Sequence, residues 1–247
     1  MNYLKIFLII GIAALGAAEQ PLLHLAFENN SLTGSSLKAA AVMLPDQNAF
    51  KQQKNGACGS AAEFDGINAV EIKNAIFDFS KGFTMEFFLK RPPSKPGFIL
   101  SFDFDIFIQA IGNKIRIGHK LVSEKPVSTI AKNTGEFDKW THVALSYNPE
   151  KDENIRIFFN GTEAEYEEKP ALSFKGIAVA PLSKNIFIAK RNDGYNYTGS
   201  LDEIKIYNTG IYSANFEIKL PSDEASAGKE EKTSKIKTDS KINTKIW

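Results

Sequence analysis

Along the middle of the chain, apolar and polar residues alternate in short runs broken by Gly, Asn, Asp and Pro. A period of two puts successive side chains on opposite faces of an extended strand. Phe83-Thr-Met-Glu-Phe-Phe-Leu-Lys90 and Leu201-Asp-Glu-Ile-Lys-Ile-Tyr207 each show one apolar and one polar face. The same pattern predicts strands at Leu22–Phe27, Ala69–Lys73, Phe98–Phe102, Ile106–Ala110, Lys114–Gly118, Thr141–Tyr147, Ile155–Phe159, Asn185–Ala189 and Ser200–Tyr207. Asn160-Gly161 reads as a hairpin turn, because both residues tolerate positive φ. Helical periodicity is almost absent; one helical turn is expected near Ser213–Ile218, with Ser213 as its N-cap. Many short strands with tight turns and no β-α-β rhythm predict an all-β fold, an antiparallel β-sandwich in a single domain.

The two ends break this pattern. Residues 1–18 read as a signal peptide: Lys5, then the apolar run Ile6–Leu15, then small residues at 16–18. The run is too short to span a bilayer, so cleavage after Ala18 would leave a chain with no transmembrane segment, secreted or periplasmic. An uncleaved membrane anchor is the alternative. Residues 19–220 form the sandwich domain. From Pro221 to Trp247 the chain turns polar, Lys/Ser/Thr-rich and poor in apolar residues, the composition of a disordered tail. Its lysines either solubilise the protein or tether it to an acidic surface.

Composition then narrows the chemistry. The sequence has 247 residues, 30 Lys+Arg against 29 Asp+Glu, and a formal net charge of +1. This balance argues against nucleic acid as a partner, since phosphate contacts need clustered positive charge. One Cys and three His exclude a Cys/His zinc site and an intrachain disulfide. Cys58 reads as a small buried hydrophobe, with an intermolecular disulfide as the lesser reading.

The order of landmarks resembles the laminin-G-like jelly roll of the concanavalin A-like lectin/glucanase superfamily. LLHLAFE (Leu22–Glu28) opens the domain and AAEFDGINAVEI (Ala61–Ile72) is similar to the family's small-x-x-Phe-Asp-Gly segment. FTMEFFLK (Phe83–Lys90), KWTHVALSY (Lys139–Tyr147) and IRIFFNGTE (Ile155–Glu163) follow in the family's order. YTGSLDEIKIYN (Tyr197–Asn208) resembles the strand that closes the domain. Trp140 is expected to fill the core between the sheets, with His142 packing on the same face.

The resemblance implies two chemistries to test. Retaining glucanases of this fold carry Glu-x-Asp-x-x-Glu on one strand, bringing two carboxylates to about 5 Å. No such pattern occurs, and Asp202 and Glu203 alternate faces of one strand. With no nucleophile or phosphate-loop signature either, the chain is read as non-enzymatic. Pentraxin-type relatives bind calcium at one rim; here Asp103 and Asp193 are the candidate ligands, beside Asn192. Lys190 and Arg191 oppose a double-calcium site. No cofactor is required, and one structural calcium held by a subset of Asp65, Asp103, Asp193 and Asp202 stays open.

The loop Arg191-Asn-Asp-Gly-Tyr-Asn-Tyr-Thr198 is the candidate ligand-binding site. Arg191, Asn192, Asp193, Tyr195, Asn196 and Tyr197 combine aromatic faces with planar polar groups, the mixture that sugar recognition needs. The tyrosines alternatively pack over the sandwich end. The expected function is a secreted, non-catalytic binding module that recognises a glycan or an extracellular protein through loops at one end. A structural or adhesive surface component is the other-class reading, and a glycan-active enzyme the third. The sequons at Asn29, Asn160 and Asn196 matter only in a eukaryotic secretory pathway.

Overall fold

The computed structural model describes residues 20–28, 42–43, 50–92, 95–103, 105–120, 127–179, 181–191 and 195–218. The expected signal peptide and polar tail lie outside them. The strands are β1 (Leu23–Leu25), β2 (Val42–Met43), β3 (Lys51–Gln53), β4 (Ala61–Asp65), β5 (Val70–Phe77) and β6 (Phe83–Lys90). They continue with β7 (Gly97–Phe102), β8 (Ile106–Ile111), β9 (Lys114–His119), β10 (Val127–Lys132) and β11 (Thr141–Tyr147). The last are β12 (Arg156–Phe159), β13 (Thr162–Glu163), β14 (Glu165–Glu168), β15 (Leu182–Ile188) and β16 (Thr198–Tyr207).

Two antiparallel sheets stack into a sandwich. One runs β13-β12-β11-β6-β16-β4-β3, with β1 added against β16; the other runs β14-β10-β9-β8-β7-β15-β5-β2. Alternation dictates the core. Met85, Phe87 and Leu89 of β6 point inward beside Val143 and Leu145 of β11 and Leu201, Ile204 and Ile206 of β16. The other sheet contributes Leu100, Phe102, Ile108, Ile117, Ile186 and Ile188. Phe77, Phe79, Phe83 and Phe102 close one end of this core with ring centroids 5.4–6.1 Å apart. Asn160 (φ 49°) and Gly161 (φ 78°) make the β12–β13 turn as their sequence suggested.

Three expectations are corrected. Trp140 is not a core residue. Val143, Leu145 and Tyr147 take the inward positions of β11, so its even-numbered neighbours face outward. Trp140 lies half-buried with its indole N–H donated to the Asn55 carbonyl at 3.2 Å, and the outward His142 is buried at 4% exposure. Residues 213–218 form no helix; the chain bends at Ser213 and Ala214, which brings Phe216 face to face with Tyr212, and it crosses the outer face of β6, β11 and β12, where tertiary bonds replace helical ones. Tyr212 N–H donates to Ser146 Oγ and Phe216 N–H to the Gly161 carbonyl.

The third correction concerns Asp202 and Glu203, which do not alternate. A bulge between Asp202 and Lys205, with Glu203 at φ 49°, inserts one extra residue opposite β6. Asp202 pairs with Phe88 and Lys205 with Glu86, so Asp202, Glu203 and Lys205 all reach the outer face. Asp202 is fully buried under residues 56–58, accepting the Cys58 N–H at 2.9 Å and the Glu203 N–H at 2.8 Å. Cys58 is half-buried; burial, Glu203, Asp202 and Glu28 raise its thiol pKa, which lowers its thiolate fraction.

Candidate functional site

The pairing register sorts the loops between two ends. The β4–β5 turn, the β6–β7 connection and the β15–β16 connection share one end, since Thr198 pairs with Asp65 and Ile188 with both Val70 and Leu100. The β5–β6, β7–β8 and β11–β12 turns share the other.

At the first end, the turn after β4 is built by Asp65. Its carboxylate accepts the N–H groups of Ile67 (2.8 Å) and Asn68 (2.9 Å) and the Asn68 side-chain amide (3.0 Å). The backbone bonds from Asn68 and Ile67 hold its carboxyl below the usual range. Gly66 sits at φ 85°, and a Cβ there would lie 2.7 Å from Thr198 Oγ1. The turn holds Ile67 out at 78% exposure, with Tyr195 at 65% on the neighbouring connection. Asn196 ties the two, donating its side-chain amide to the Ile67 carbonyl at 3.2 Å. Phe98 N–H donates to the Tyr195 carbonyl at 2.9 Å, anchoring that connection to β7. A shallow cavity of about 170 Å³ opens between Ile67, Asn68, Glu71, Phe187 and Lys190.

The residues of the expected loop site divide. Tyr195 and Asn196 stand at this rim. Arg191 lies on the outer face of the β7–β15 sheet, its guanidinium 4.1 Å from the Phe98 ring centre and 4.5 Å from that of Phe107. Such stacking fixes a planar cation in place. Tyr197 is corrected: it is fully buried in the core, its N–H bonded to the Ala189 carbonyl and its hydroxyl to the Ser200 carbonyl at 3.3 Å. Tyr197 continues the inward parity of Gly199 and Leu201, whereas Tyr195 belongs to the non-strand connection before it, whose direction the sequence does not reveal. Asn192 and Asp193 lie outside the described residues.

Of the candidate calcium ligands, Asp193 lies outside the described residues. Asp103 (φ 46°) follows Phe102 at the end of β7 opposite the rim. Asp65 is engaged in its own turn, and Asp202 is buried, its carboxyl pushed up to about 7 by burial and by Glu203. Among the described residues no three His, Cys, Asp or Glu side chains are placed to hold a metal ion. Ile67, Asn68 and Phe187 went unread as site residues. An isoleucine placed immediately after an Asp-Gly turn was the available signal.

Comparison with curated proteins finds no match. Among solved structures, the binding domain of Paraclostridial Mosquitocidal Protein 1 superposes with a TM-score of 0.60 at 12% identity, covering 78% of this chain and 50% of that one. The botulinum neurotoxin serotype D ligand binding domain, solved in complex with N-acetylneuraminic acid, gives 0.57 at 16% identity, covering 78% and 48%. Domain 4 of AbnA, an extracellular arabinanase from Geobacillus stearothermophilus solved with arabinotriose, gives 0.50 at 14%, covering 78% and 94%. The chain spans about half the length of the two toxin domains. These likenesses are of fold. A laminin-G-type model of the concanavalin A-like lectin/glucanases superfamily matches residues 64–214, more than half of the sequence. With its two antiparallel sheets and its ordered landmarks, the chain belongs to the concanavalin A-like lectin/glucanase superfamily.

Proposed function

We propose that this is a non-catalytic binding module, exported to the periplasm or beyond the cell, that recognises a glycan through the rim at the β4–β5 and β15–β16 end. One observation carries the reading. Two exposed apolar side chains, Ile67 and Tyr195, stand on neighbouring segments joined by the Asn196–Ile67 hydrogen bond, with Asn68 and the ammonium of Lys190 beside Ile67. A rigid aromatic or aliphatic face with polar groups around it suits the apolar side of a sugar ring and its hydroxyls. The sugars held by the serotype D domain and by domain 4 of AbnA support the reading by analogy. An extracellular protein is the other partner such a rim would take. The reading needs no metal.

A glycan array probed with the protein and with Tyr195→Ala and Ile67→Ala tests it. Each variant should lose about 1–2 kcal/mol of affinity with its melting temperature unchanged. Unaltered binding in both would sink the assignment. Ile76 and Leu172, 68% and 67% exposed away from the rim, favour a second reading in which the sandwich scaffolds an assembly. Sedimentation showing self-association abolished by Leu172→Ser would turn the argument that way.

A further inference from the structure

The outer face of the β6–β16 sheet is not bare. Residues 209–218 cross it, held by Ile211 N–H on Thr84 Oγ1 (2.9 Å), Tyr212 N–H on Ser146 Oγ (3.1 Å) and Phe216 N–H on the Gly161 carbonyl (2.8 Å). Between this segment and the strands opens a cleft of about 310 Å³. It uses none of the rim residues.

Its floor is polar and already organised. Glu86 accepts hydrogen bonds from the hydroxyls of Tyr207 (3.1 Å) and Tyr212 (2.7 Å), and His142 Nε2 lies 3.4 Å from it. Glu203 is held by His24 Nε2 (2.8 Å) and Lys205 Nζ (3.0 Å). The walls are aromatic. Phe88 and Phe216 flank the His142 ring at 4.9 and 6.0 Å. His142 is 4% exposed, and its Nδ1 has no hydrogen-bond partner among the described residues.

We propose that this cleft is a second ligand site that takes one neutral, hydroxylated ring, a single sugar unit packed against the aromatic wall that Phe88 and Phe216 form around His142 and hydrogen-bonded to Lys205 and Glu203. Charge selects the class. Glu86, Glu203 and Glu217 line the cleft against one lysine, which repels an anionic sugar. Lys205 already occupies the cation position beside Glu203, which leaves no place for an incoming ammonium. The volume is at the small end of ligand pockets and suits one ring.

Titrating isotope-labelled protein with the methyl glycosides of glucose, galactose and mannose and with N-acetylglucosamine, followed by NMR, tests this. At least one sugar should shift the His142 imidazole and Lys205 side-chain signals saturably. Lys205→Met should weaken that Kd about ten- to a hundredfold, while Tyr195→Ala leaves it unchanged. No saturable shift with any of the four sugars would overturn the proposal without needing a variant to fold. It is equally overturned if n-butylamine moves these signals and the sugars do not, or if Tyr195→Ala abolishes the shifts. Failure of the rim variants on the array leaves this cleft unaffected, because the two sites share no residue.

Discussion

At the scale of single residues, two buried ionisable groups set opposing pH dependences. His119 is 1% exposed, edge-on to Phe174 at 5.0 Å, with neither ring nitrogen hydrogen-bonded among the described residues. Burial pushes its pKa down from 6.5 to about 4. Between those values the unfolded chain holds a proton that the folded protein refuses. Stability therefore falls as pH drops from 6.5 to 4, by about 3 kcal/mol, and levels off below. Asp202 pulls the other way. Its carboxyl, pushed up to about 7, keeps a proton that the unfolded chain has released above 3.8, so its contribution weakens as pH rises through that window. We expect His119→Phe to gain most of that 3 kcal/mol over the parent at pH 4 relative to pH 7.5. Urea unfolding of both proteins at the two pH values measures it, and equal losses would show that His119 titrates normally. Trp140, half-buried at the strand's entry, is outside this core and carries no comparable weight.

At the scale of elements, the bent segment after β16 acts as a strap. Tyr212 and Phe216 stack at 3.7 Å with their planes 7° apart, and Phe216 also meets Phe158 at 5.4 Å. Gly161 permits the close approach, since a Cβ there would fall 2.0 Å from the Phe216 carbonyl oxygen. The Tyr212 hydroxyl on Glu86 adds a bond to a charged acceptor. Tyr212→Ala should cost about 2–4 kcal/mol through lost stacking and an under-satisfied buried carboxylate. Tyr212→Phe should cost less, since it keeps the ring. Thermal or denaturant melts rank the two. Equal losses would mean that the hydroxyl, not the ring, holds the strap. The strands themselves were legible because their alternation is local, as in Phe83–Lys90 and Thr141–Tyr147, whose bounds agree with the sequence reading. The strap was not, because Ser213–Ile218 has the composition of a capped turn, and its bonds to the sheet beneath hold it in a bend that does not become a helix.

At the scale of the whole molecule, the sandwich keeps its two ends apart. Asp103 belongs to the end with the β7–β8 turn, while Ile67, Tyr195 and Asn196 belong to the other. Rim binding should accordingly be indifferent to calcium. A chelator in excess, or Asp103→Ala, should leave glycan affinity unchanged in a titration with the array's best ligand. A tenfold loss on chelation would place a metal at the rim.

Local alternation, turn residues and the order of landmarks were enough to determine an antiparallel sandwich of this superfamily, because strand period and turn chemistry are properties of neighbouring residues. Which side of that sandwich each polar group serves was decided only in three dimensions. Tyr195 and Tyr197 are two residues apart, yet one stands at the rim and the other is sealed in the core. Asp202 and Glu203 share a face because a bulge adds one residue opposite β6. His142 is buried because a segment some seventy residues later lies over it. Register, bulges and covering segments are set by pairing between distant parts of the chain, and such pairings leave no periodic trace in the sequence.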